Sequence, residues 1–206
     1  MKVFWINGSP KANGNTAFAL EQMAEVFASM GIETETIQVG NLLIRGCQGC
    51  GACYKLKKCV FEDDIVNETA RKLAEADGMV VGSPVYYASP NGTLISFLDR
   101  LFYSNRADLR NKVGASVVCA RRGGTTAAMD VLNKYFTISQ MPVASSTYWN
   151  IIHGAKPGEA QQDAEGIRTV RNLAKNMGYM IQAFQLAKDQ IPMPEAEPKA
   201  FTNFIR

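Results

Sequence analysis

Short apolar runs alternate with longer amphipathic segments along nearly the whole chain, and this alternation limits the folds open to it more than any other feature. Runs bounded by turn residues read as strands, and apolar residues three and four apart read as helices. Strands are expected at Val3 to Ile6, Glu33 to Val39, Gly78 to Gly82, Val113 to Ala120 and Val143 to Tyr148. Helices are expected over Asn15 to Met30, Asp64 to Ala76, Asn91 to Tyr103, Thr125 to Gln140 and about Glu159 to Lys188. Phe18, Met23, Val26 and Phe27 make most of one face of the first helix, and Gly31 suits its C-terminal cap. Asp63 or Asp64 offers a cap to the second helix, and Ser89-Pro90 offers a cap and a first-turn proline to the third. Prolines interrupt the tail from about residue 190. Alternating strands and helices require crossover connections, and crossovers produce a parallel sheet covered on both faces. No repeat or linker divides the 206 residues, so residues 1–206 are expected to form one α/β domain.

Open parallel sheets bind ligands at the loops leaving the carboxyl ends of their strands. The loops after the first, third and fourth strands are therefore the ones to read. The first, Asn7 to Thr16, enters a helix whose N-terminal N–H groups and dipole attract phosphate. Ser9, Asn13, Asn15 and Thr16 add neutral donors, and Lys11 adds charge. Dinucleotide glycine spacing and a Gly-Lys-Ser/Thr phosphate loop are both missing, so the cradle suits a terminal monophosphate. A plain turn with a helix cap is the bland alternative. The second loop, Gly82 to Pro90, contains Ser83, Pro84, Val85, Tyr86 and Tyr87, a stiff segment that can present amides and an aromatic face to a flat ligand. In the third, Gly123 and Gly124 allow a ring close to the backbone. Arg121 can there offset charge on a reduced ring or meet a donor's phosphate, while Arg122 reads as a solvated charge.

Cys47, Cys50, Cys53 and Cys59 follow the spacing C-x2-C-x2-C-x5-C, with Gly46, Gly49 and Gly51 interleaved. Composition decides among the uses of such a loop. The net charge of +3 is too small to argue for nucleic acid, and no signal peptide or stretch of roughly 20 apolar residues is seen. A cytoplasmic, membrane-free protein is expected, in which thiols stay reduced and disulfides are disfavoured. Structural zinc usually takes two Cys-x-x-Cys hooks set further apart, whereas equal steps followed by a nearby fourth cysteine suit an iron–sulfur loop. Thiols that ligate nothing remain the alternative. Lys55, Lys57 and Lys58 would offset cluster charge or dock an acidic partner. Cys119 reads as an apolar filler, His153 as a structural hydrogen-bonding group, and Glu62-Asp63-Asp64 as helix capping.

Together, G-S-P-K-x-x-G-N-T, G-S-P-V-Y-Y and R-R-G-G resemble the flavodoxin-like NAD(P)H-dependent FMN reductases. With the cysteine run, the chain more closely resembles the iron–sulfur flavoproteins of that group, over nearly its whole length to about Lys188. The resemblance implies a flavodoxin-like three-layer sandwich with a five-stranded parallel sheet and one FMN per subunit. It also implies dimers or tetramers with flavin sites near subunit contacts. Ser9, Lys11, Asn15 and Thr16 would hold the phosphate, Ser83 to Tyr87 with Gly123 and Gly124 would line the isoalloxazine, and the four cysteines would bind a [4Fe–4S] cluster. Lys11 stands where arginine is frequent, which keeps charge but gives up bidentate geometry. The chemistry expected is electron transfer between a low-potential donor, ferredoxin or NAD(P)H, and a small acceptor, with no catalytic side chain. The alternatives are an NAD(P)H-dependent FMN or quinone reductase without a cluster, and a non-catalytic electron carrier.

Overall fold

In β1 (Lys2–Asn7) and β5 (Val113–Ala120) almost every residue is buried, as a strand covered on both faces requires. The computed structural model describes every residue except 106, 199, 203, 205 and 206. With β2 (Glu33–Gln38), β3 (Gly78–Tyr86) and β6 (Ile151–His153), these strands form a parallel sheet in the order β2-β1-β3-β5-β6. The chain turns back across β1 after β2, so the reversal of strand order lies between β1 and β3. Ligands of open sheets collect at such a reversal.

The pleat divides the core into two layers. Val3 and Trp5 point to one side with α1 (Asn15–Ser29) and α6 (Ala164–Ala187). Phe4 and Ile6 point to the other, where α3 (Val66–Glu75), α4 (Gly92–Ser104) and α5 (Thr125–Ile138) pack. The alternation led to a parallel sheet covered on both faces, the resemblance to a flavodoxin-like three-layer sandwich, and the arrangement is both. Between β2 and α3 the chain makes a long excursion that holds the four clustered cysteines and one short helix, α2 (Cys53–Leu56). Among the described residues, no helix is long and apolar enough to cross a membrane.

Three local expectations are corrected. Val143 makes only a single bridge to Gly114, and the last strand forms at Ile151–His153 instead of Val143 to Tyr148. Ile151 and Ile152 fill the two opposite core layers, whereas Ser145, Thr147, Tyr148 and Trp149 stay exposed. Ser89–Pro90 does not cap α4; it folds back on Val85 and Tyr86 as the short antiparallel strand β4. The cap passes to Asn91, whose Oδ1 accepts from the N–H groups of Thr93 at 2.7 Å and Leu94 at 3.4 Å. Finally, α3 begins at Val66 rather than Asp64; the Asp64 carboxylate accepts from the Val66 N–H at 3.1 Å and also pairs with Arg100.

Candidate functional site

The first loop is shaped by a polar network that precedes any ligand. Asn7, at the end of β1, accepts from the Ser9 N–H at 3.0 Å and donates to Gln38 Oε1 at 2.8 Å, and Gln38 donates to the Ser9 carbonyl at 2.6 Å. The Ser9 hydroxyl accepts from the Lys11 N–H at 3.2 Å. Among the described residues, no side chain caps α1 at Gly14. Its first N–H groups therefore point into the cleft as donors, beside buried Ser9 and Thr16.

A cleft of about 300 Å³ opens here, within the size range of small-molecule sites. Ser9, Lys11, Asn15 and Thr16 line it on one side, with Pro84, Val85, Tyr86 and Arg121 facing them. The structure thus brings together residues of all three predicted loops. It places others differently. Asn13 is exposed and outside the lining. Ser83 is fully buried, its hydroxyl accepting from the Asn91 N–H at 3.0 Å, so it fastens the β3–β4 hairpin rather than facing the cleft. Asn15 faces both ways: its amide donates to the Lys156 carbonyl at 2.9 Å and accepts from the Ala160 N–H at 3.3 Å.

Through Asn15, the loop after β6 becomes a fourth wall, with Gly154, Ala155 and Pro157 lining the cleft. Sequence reasoning missed this wall because it placed the last strand too early. The backbone N–H of His153 donates to Asp163 Oδ2 at 2.7 Å, and its half-exposed ring lies with Nδ1 3.5 Å from the same oxygen. Tyr87 and Ala88 form the two-residue tip between β3 and β4, both at positive φ (49° and 59°). That conformation normally selects Asn-Gly, and here it turns the Tyr87 ring fully to solvent, outside the lining. Gly124, at φ 85°, lies against this tip, where an added Cβ would come within 2.8 Å of Ala88 Cα.

Cys119 also lines the cleft, and burial pushes its thiol up to about 11. At pH 8 roughly one molecule in a thousand then carries the reactive thiolate. Iodoacetamide at pH 8 should modify exposed Cys47 and Cys50 of iron-free protein while sparing Cys119, with Cys119 labelling rising above pH 10, as read by peptide mass spectrometry. Early labelling of Cys119 would contradict its burial.

The second feature lies on the excursion after β2. Cys47, Cys50, Cys53 and Cys59 all line one small hollow, closed from below by Arg100, Tyr103 and Ser104 of α4. Gly49 and Gly51 adopt positive φ, which permits the turns between the first three cysteines. Asn67 of α3 grips the fourth: it accepts from the Cys59 N–H at 2.9 Å and donates to the carbonyls of Cys59 at 2.9 Å and Phe61 at 3.1 Å. Arg100 Nε donates to Cys59 Sγ at 3.3 Å. Its guanidinium also pairs with Asp64 and donates to the Arg45 carbonyl. Burial alone would lower the Arg100 pKa, and the Asp64 carboxylate and Cys59 sulfur more than offset it. Among the described residues, no three metal-ligating side chains converge on a single-ion site.

Residues 1–156 match the family model for NADPH-dependent FMN reductase. An iron–sulfur flavoprotein of Methanocaldococcus jannaschii is 34% identical over 190 residues, covering 88% of this chain and 98% of that protein. One from Methanosarcina thermophila is 31% identical over 194 residues, covering 92% and 100%. Among solved structures, the NAD(P)H:quinone oxidoreductase from Methanothermobacter marburgensis superposes with a TM-score of 0.66 at 17% identity, covering 86% of this chain and 96% of that one, and so shares the fold. With most of its length matched in sequence, the chain belongs to the NADPH-dependent FMN reductase family and, within it, to the iron–sulfur flavoproteins.

Proposed function

We propose that this chain is an FMN-dependent oxidoreductase that moves electrons between a low-potential donor and a small acceptor through a [4Fe–4S] cluster and FMN. The observation that carries the reading is the gathering of four cysteines at the end of α4, whose first turn is fastened to the hairpin that lines the cleft. When bound, FMN supplies one- and two-electron chemistry and a cluster supplies single electrons.

The residues present suit both groups. For the FMN phosphate, the uncapped start of α1, the Ser9 and Thr16 hydroxyls and the Lys11 ammonium are the donors. Pro84, Val85 and Tyr86 offer a flat wall to the ring, and Arg121 brings positive charge to the rim. Four thiols on a glycine-rich turn, with Cys59 already held by Asn67, suit a multinuclear centre. Structural zinc usually takes two Cys-x-x-Cys hooks set further apart than the cysteines of this loop.

Exposed Lys55 and Lys57 with Tyr54 and Tyr103 beside the hollow suit an acidic protein donor such as ferredoxin, and the open cleft mouth admits NAD(P)H or a small acceptor. The exposed Tyr87 tip beside the cleft suits a subunit contact in a homo-oligomer.

Anaerobic purification tests the reading. The protein should hold FMN and about four irons per chain, with a broad absorbance beneath the flavin bands. Cys50→Ser should lose the iron and keep the flavin. Wild-type protein that retains flavin but takes up no iron on anaerobic reconstitution would overturn the cluster relay and leave the NAD(P)H-dependent reductase and the non-catalytic carrier.

A further inference from the structure

Among the described residues, Arg100 is the largest fully buried side chain, and it lies on the apolar face of α4 with Phe97 and Leu101. Arginine is almost never buried unless paired, and its guanidinium cannot lose its proton inside a protein. Here the charge meets the buried Asp64 carboxylate through both terminal nitrogens, and Asp64 also accepts from the Val66 N–H at 3.1 Å. On the outer side, Phe61 lies between two cations, 4.5 Å from the Arg45 guanidinium and 5.3 Å from that of Arg100. The Nε–H points at Cys59 Sγ, 3.3 Å away.

A purely structural role does not account for this arrangement. Apolar residues of similar volume replace a buried ion pair at little cost, or with a gain in stability. What an apolar residue cannot supply is a fixed positive charge and an N–H directed at one particular sulfur. The lysines of the same loop are exposed, so water and salt screen them. Arg100 acts from a drier site, where the same charge counts for more.

We propose that Arg100 is a positioning residue for the sulfur centre, a permanent counter-charge that Asp64 aims at Cys59 and that raises the reduction potential of the cluster bound there. The proposal rests on the iron–sulfur reading above. Hydrogen bonds and net charge at ligating sulfurs set such potentials, and a nearby cation favours the form carrying the extra electron.

The test uses anaerobically reconstituted full-length protein. Arg100→Met combined with Asp64→Asn removes both charges, leaves no unpaired buried ion, and keeps an acceptor for the Val66 N–H. Redox titration followed by absorbance and electron paramagnetic resonance reads both centres in one sample. The double variant should keep its FMN and its flavin potential, while the iron–sulfur potential moves to a more negative value. Loss of iron to a chelator should quicken several-fold. Arg100→Lys retains charge opposite Asp64 without the directed Nε–H, and its potential should fall between the two. Should the double variant fail to fold, the lysine variant decides alone. Iron-loaded variants with the wild-type potential would overturn the role of Arg100 and leave the cluster standing. Wild-type protein that takes up no iron would overturn both.

Discussion

Gly40→Ala should reduce FMN affinity on the order of 100-fold, equivalent to about 2.7 kcal/mol. Gly40 follows β2 and donates its N–H to the Asn7 carbonyl at 3.2 Å, directly beneath the phosphate loop. A Cβ there would lie 2.2 Å from the Ser9 carbonyl carbon and 2.3 Å from the carbonyl oxygens of Gly8 and Ser9. These are backbone atoms, so no side-chain rotation relieves the overlap. The loop must move, and with it the Ser9 hydroxyl and the line of N–H groups at the start of α1. Titrating apo protein with FMN while following flavin fluorescence measures the loss. Gly92→Ala, where an added Cβ meets open space, is the control for nonspecific effects. Wild-type affinity in Gly40→Ala would show that the phosphate lies elsewhere.

The second large effect is expected at Asn67. Asn67→Ala leaves three backbone groups without their partner, the buried N–H and carbonyl of Cys59 and the part-buried carbonyl of Phe61. Unsatisfied buried groups cost about 1 to 3 kcal/mol each, so even partial access of water leaves a loss of about 3 kcal/mol. For a chain of this size that corresponds to a fall of roughly 6 to 12 °C in Tm. Because Asn67 acts on the backbone of Cys59, the same variant should also take up less iron during reconstitution. Thermal unfolding of the iron-free protein separates the two effects. An unchanged Tm would mean that Asn67 does not hold the loop.

Much of this architecture could be read from the amino acids alone, for identifiable reasons. The strands buried on both faces announced themselves because such positions take mostly apolar residues, as in Val113 to Ala120, where the buried Ser116 hydroxyl donates to Asn133 Oδ1 at 2.7 Å. The loop after β1 and the cysteine run stood out as candidate sites because what marks them is local: hydroxyls, glycines and thiols at short fixed spacing. What escaped was non-local. The cap of α4 went to Asn91 because Ser89–Pro90 was claimed by a strand partner, and β-pairing outweighs a capping preference. Ser83 belongs to the flavin-type motif, yet it serves the hairpin, a role visible only once Asn91 returns beside it. Asp64 reads as a helix cap until Arg100, 36 residues later, approaches it. One signal for that pairing was present: a lone arginine three residues after Phe97 on an otherwise apolar face. Asn7, Gln38 and Gly40 left no local mark, since their importance comes from β1 and β2 ending side by side.

The helix between the two centres carries a geometric implication. Asn91, tied to the hairpin of the cleft, and Arg100, set under the sulfurs, belong to one stretch of continuous α-helix and its cap. The helix therefore serves as a ruler: nine residue steps at about 1.5 Å fix the spacing at roughly 13 Å, independent of loop conformation. Adding or deleting a single residue along it would swing the guanidinium by about 100° and aim it away from the thiolates. Residue count in this segment thus fixes how the Arg100 guanidinium is turned relative to the hairpin held at Asn91.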